Sequence, residues 1–138
     1  DPFEYFVLRD KDGLLRRDFV QSLGKVSYHI PCHSRVQNVG QKTREVLEWV
    51  PGTEVNTVER CAGHDGTWGI KSEFFAMSMK IGGPVFARMG DGDPDYVSSD
   101  CPIAGRRILQ GIEARTGSPP RARKEHPLTL LRIAYGLA

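Results

Sequence analysis

Arg60-Cys61-Ala62-Gly63-His64-Asp65-Gly66-Thr67-Trp68-Gly69 packs a thiol, an imidazole, a carboxylate and three glycines into ten residues. The run is too rich in glycine for a regular helix or strand. It reads as a site loop, because glycine lets the backbone take positive φ and come close to a bound group. Just before it, Val55, Thr57 and Val58 form a short β-branched strand that runs into Cys61. The two other cysteines repeat this arrangement. Val26, Tyr28 and Ile30 alternate with Ser27 and His29 at the period of a strand, Pro31 ends it, and Cys32 follows. Tyr96-Val97-Ser98-Ser99 is a third short strand, and it ends at Asp100-Cys101.

Helical patterns fill the intervals. Phe3, Phe6 and Val7 share a face within residues 1–12, and Asp12-Gly13 supplies a stop. From Val39 to Val50 the apolar positions Val39, Val46, Leu47 and Val50 recur at helical spacing, closed by Pro51-Gly52. Ile70, Phe74, Met77, Ile81 and Val85 make a longer stripe that reads as core, with Gly82-Gly83-Pro84 expected to kink or split it. Asp91-Gly92-Asp93-Pro94 is a turn, and Ala104, Ile108 and Ile112 mark the next helix. Residues 116–124 read as a solvated loop, and Pro127 opens a last helix carrying Leu128, Leu131 and Ala134. No repeat or low-complexity segment interrupts this order.

The alternation predicts an α/β fold, a small parallel sheet flanked by helices with right-handed crossovers. Ligands of such sheets bind outside the carboxyl ends of the strands. All three cysteines fall on loops at those ends.

At 138 residues with 39% hydrophobic side chains, residues 1–138 read as a single domain. Nineteen basic against 17 acidic side chains exclude the basic field that a nucleic-acid binder needs. No apolar run approaches the roughly 20 residues that cross a bilayer, and the charged start lacks a signal-peptide core. A soluble, cytoplasmic chain is expected. Three cysteines cannot make a complete disulfide set, which points to a reducing compartment with thiols kept for metal or redox chemistry. The chain begins Asp1-Pro2 without an initiator methionine and reads as a piece of a longer protein.

Three thiolates and an imidazole are a donor set for zinc, and thiolates also hold iron–sulfur clusters. His64, three residues after Cys61, is the favoured fourth ligand. His33, next to Cys32, and His29, on the strand, read as hydrogen-bonding supports. Asp65 and Asp100 accept an imidazole or backbone N–H or cap turns, and Arg35 and Arg60 either balance thiolate charge or lie exposed. A metal-free reading makes Cys61 or Cys101 a nucleophile at a helix N-terminus with His64 as its base, and leaves two thiols without a role.

The ordered motifs Tyr28-His29-x-Pro31-Cys32-His33, Cys61-Ala62-Gly63-x-x-Gly66-Thr67-Trp68-Gly69, Asp100-Cys101-Pro102-x-Ala104 and His126-Pro127-Leu128 resemble the cysteine-rich CCG domain. That family includes the heterodisulfide reductase B subunit and the C subunit of anaerobic glycerol-3-phosphate dehydrogenase. The likeness runs from about Tyr28 to Leu131, and the cysteine spacings of 29 and 40 residues agree with the family pattern. Two departures stand out. Cys61-Ala62-Gly63 replaces Cys-Cys-Gly, and Cys101-Pro102-Ile103-Ala104 lacks the second cysteine of CxxC. With two thiols missing, the disulfide-cleaving cluster of the best-known members does not carry over intact.

The resemblance implies a C-terminal domain of a heterodisulfide-reductase-related iron–sulfur protein. Cys32, Cys61 and Cys101, with His64, would bind a cluster of the 4Fe-4S type. Tyr28, His29, His33, Asp65 and Asp100 would form the surrounding shell. It further implies electron transfer, or binding of a redox substrate at the metal, as a component of an oxidoreductase complex. Partners would be other iron–sulfur or flavin domains or subunits, and any membrane association would run through a partner subunit. A structural zinc domain that mediates assembly is the alternative.

Overall fold

The three strands expected from β-branched alternation all form, and a fourth joins them. The computed structural model describes residues 1–38 and 40–137. Strands β1 (Gly24–His29), β2 (Thr53–Val58), β3 (Tyr96–Ser99) and β4 (Arg123–Glu125) make one parallel sheet in the order β2-β1-β3-β4. Val26 pairs with Val55 on one side and with Tyr96 on the other. Strand β4 begins in the last two residues of the stretch expected to be a loop, 116–124, and ends one residue beyond it. Its Arg-Lys-Glu sequence carries no apolar alternation, as suits an edge strand that charges protect from further pairing.

Helices α1 (Pro2–Lys11), α3 (Lys42–Glu48) and α6 (Pro127–Ala134) cover one face, and α4 (Ser72–Gly90) and α5 (Pro102–Thr116) the other. On the first face Phe3, Val46, Leu47 and Leu130 pack on Val26 and Tyr28. On the second, Val85, Phe86, Met89 and Ile108 pack on Val97. With both faces covered, β1 and β3 bury Ser27, His29, Ser98 and Ser99 along with their apolar residues. A short helix, α2 (Cys32–Val36), lies beyond the carboxyl end of β1. The helix expected from Val39 starts at Lys42, and Val39 itself lies outside the described residues. No helix among the described residues is long and apolar enough to cross a membrane.

Helix α4 corrects the expected stripe. It runs unbroken through Gly82-Gly83-Pro84, and it buries Ser78, Gly82, Val85, Phe86 and Met89. Met77 is 59% exposed and Ile81 45%. The small residues face inward because the loop after β2 lies directly on the helix there. A Cβ on Gly63 would meet the Ser78 carbonyl, and one on Gly82 the Ala62 carbonyl.

Phe86 needs the same kind of space at the α4–α5 seam. A Cβ on Gly111 would come within 2.2 Å of its ring carbons. Gly111→Ala is therefore expected to destabilise the fold by about 1–3 kcal/mol through overpacking. Urea unfolding measures this, and an unchanged midpoint would refute the packing.

Candidate metal centre

The sheet order reverses direction between β1 and β3, which opens a crevice at their carboxyl ends. Cys32 opens α2 just beyond β1, Cys61 follows β2 by three residues, and Cys101 is the N-cap of α5 just beyond β3. All three are free thiols. Together with His64 they line one cavity of about 570 Å³, whose wall also carries Met77 and Ile81. The positive end of the α5 dipole lies at Cys101.

Contacts within the fold hold the glycine loop. Gly63 sits at φ +81° and its N–H donates to Cys61 Sγ at 3.3 Å. The Gly69 N–H donates to the His64 carbonyl at 2.8 Å, and the Trp68 N–H to the Asp65 carbonyl at 3.1 Å. A Cβ on Gly69 would collide with Ser78 Oγ and the Gly63 carbonyl. The glycines thus let the loop lie flat on α4, a closeness that the sequence pattern alone would assign to a ligand. The Arg107 guanidinium donates to the Gly69 carbonyl and holds the loop's far end.

Two side chains of β1 secure the cysteine turns. His29 is 2% exposed. Its Nε2 lies 2.7 Å from the Arg60 carbonyl and its Nδ1 3.1 Å from Ser99 Oγ. A carbonyl only accepts, so Nε2 carries the proton, Nδ1 accepts from the Ser99 hydroxyl, and Ser99 Oγ accepts the Cys101 N–H at 3.3 Å. Tyr28, on the opposite face, donates its hydroxyl to Asp100 Oδ2, and Thr43 Oγ1 donates to Asp100 Oδ1 at 3.2 Å. Burial, followed by the Asp100 charge, raises the Tyr28 pKa strongly, so its proton stays in this bond. His33 and Asp65 are exposed side chains at the cavity wall.

Arg35 pairs with Glu59 at 2.8 Å, and Arg60 contributes its carbonyl. Sequence reasoning passed over Ser99, Thr43 and Arg107. Only Arg107 left a signal, as a charge among the inward positions Ala104, Ile108, Gly111 and Ile112 of α5.

The donors stand in two pairs. His64 Nε2 is 3.9 Å from Cys101 Sγ, and the Cys32 and Cys61 thiols are neighbours. Desolvation and then the Cys61 thiol push the Cys32 pKa up. Burial and then the Arg107 charge lower that of His64, which keeps its imidazole neutral and able to donate a lone pair. His64 Nδ1 is buried with no hydrogen-bond partner among the described residues. Among those residues, no three His, Cys, Asp or Glu side chains gather closely enough to hold one metal ion. Paired donors around a cavity, with an orphaned imidazole nitrogen, fit a group larger than a single ion. The chemistry of the set, thiolates with one imidazole, fits an iron–sulfur cluster.

Burial holds the His29 pKa below its usual 6.5, with the nearby His64 lowering it further. The unfolded chain takes up this proton at a higher pH than the folded one. The stability involved is complete above about pH 6.5 and is lost as pH falls through the lower folded value. In metal-free protein, His29→Ala is expected to lower stability at neutral pH by about 1–3 kcal/mol, because it strands the Arg60 carbonyl and the Ser99 hydroxyl. It should also flatten the loss below pH 6.5, measured by denaturant titration at several pH values. A variant with unchanged stability and slope would contradict the cross-tie.

No family model matches the chain. It is 34% identical over 111 residues to the C subunit of anaerobic glycerol-3-phosphate dehydrogenase from Escherichia coli (strain K12), and equally to that from Escherichia coli O157:H7. The aligned region is 80% of this chain and 26% of each relative, so the chain spans about a quarter of the length of these curated relatives. Over that region the chain is homologous to part of a dehydrogenase subunit.

Proposed function

We propose that this chain is an iron–sulfur domain of an oxidoreductase related to that dehydrogenase subunit. The observation that carries the reading is the meeting of three free thiols, from three separate strand ends, with His64 around one cavity. Cys32, Cys61 and Cys101 would hold the cluster, of the 4Fe-4S type, and His64 would take the fourth position. Tyr28, His29 and Asp100 hold the thiol-bearing turns, and His33 and Asp65 flank the mouth. A bound cluster would supply one-electron transfer. The Gly63 N–H that reaches Cys61 Sγ is the kind of contact that tunes its potential. The chain then carries electrons, or admits a redox substrate at the position of the non-thiolate donor.

In the same reading, residues 1–138 form one domain, the C-terminal part of a longer cytoplasmic protein. Its partners are iron–sulfur or flavin domains or subunits. A structural zinc site is the weaker account, since zinc needs four donors drawn to one point and these stand in two pairs.

Iron, zinc and acid-labile sulfide should be assayed, with the visible spectrum, on protein purified without oxygen. The expected result is iron with sulfide and a broad visible band. Cys61→Ser or Cys101→Ser should abolish it and His64→Ala weaken it. Zinc without sulfide would overturn the proposal.

A further inference from the structure

A second cavity, of about 580 Å³, adjoins the first and shares His64 with it. Its walls combine apolar surface with cations. Ile70 is 64% exposed, Ile103 51% and Phe75 38%, and Arg106 and Arg107 stand beside them. Arg107 is 4% exposed, with its guanidinium 5.0 Å from the centre of the Phe75 ring. All its partners are neutral: the Gly69 carbonyl, Gln110 Oε1 at 3.0 Å and Met79 Sδ at 3.3 Å. Among the described residues neither Arg107 nor Arg106 has a carboxylate in ion-pair range. No Asp or Glu lines the cavity. Buried charges are ordinarily paired, so a buried guanidinium without a counter-charge at a cavity wall marks a place for an anion.

We propose that this cavity binds a small organic anion, a carboxylate carried on an apolar body. The carboxylate lies toward Arg106 and Arg107, whose planar forks suit it, and the body lies on Phe75, Ile70 and Ile103. Size agrees, since sites for small organic ligands span roughly 300–1,000 Å³. A bare inorganic anion would leave the apolar wall in water. His64 and Gly66 line both cavities, so the occupant rests beside the imidazole proposed as metal donor. The inference stands on charge and shape, and holds whether or not the thiols carry a metal.

The test uses the whole chain, metal-free with thiols reduced, titrated with 3-phenylpropionate and followed by amide correlation NMR. The neutral 3-phenylpropanamide and inorganic phosphate are run in parallel. Saturable shifts at Ile70, Phe75 and Ile103 are expected for the carboxylate, with binding at least about tenfold weaker for the amide and for phosphate. Arg106 is exposed and makes no ion pair among the described residues, so Arg106→Gln should weaken binding about tenfold without moving the melting temperature. No saturable shift up to about 10 mM, equal affinity for the amide or phosphate, or shifts confined to other surfaces would each overturn the proposal.

Discussion

A buried imidazole at the end of the central strand joins two of the three cysteine loops. His29 donates from Nε2 to the backbone carbonyl beside Cys61, and accepts at Nδ1 from Ser99, whose oxygen takes the amide proton of Cys101. Three hydrogen bonds in series therefore run from one cysteine backbone to another. Each donor fixes the orientation of the next, so the chain works only with a neutral ring in one tautomer. Burial, which disfavours the imidazolium, maintains that form.

Adjacent residues of a strand point to opposite faces, and β1 uses both. While His29 reaches Ser99 on the α4–α5 side, Tyr28 and Thr43 grip Asp100 on the other. The turn that carries Cys101 is held from both faces of the sheet. Cys61 is positioned differently, by a glycine loop pressed on Ser78 and Gly82 of α4 and pinned at its end by Arg107. Rigid strand ends and a packed loop thus place three free thiols around a cavity. The exposed Met77 and Ile81 give the cavity an apolar flank.

The sheet and the meeting of the cysteines were legible because β-branched alternation marks strands and a parallel sheet gathers their carboxyl ends on one side. Tyr28, His29 and Asp100 stood out as polar residues beside strand ends, although the partners they hydrogen-bond were not legible. Strand β4 was hidden because an edge strand of three charged residues has no apolar period. The inward face of α4 was misjudged because apolar spacing assumes that large residues face the core. Here Ser78 and Gly82 face inward, since a backbone rather than side chains fills the space above them. The same assumption concealed Arg107, whose burial depends on a carbonyl and a sulfur supplied by distant segments.

The central claim is that Cys32, Cys61 and Cys101 serve one group in one cavity. Its most direct measurement is mass-spectrometric mapping of alkylation at each thiol, in metal-free protein and then after anaerobic reconstitution with iron and sulfide. The expected result is that all three thiols lose reactivity together as metal is added. Protection of one or two while another stays as reactive as in the metal-free chain would contradict it.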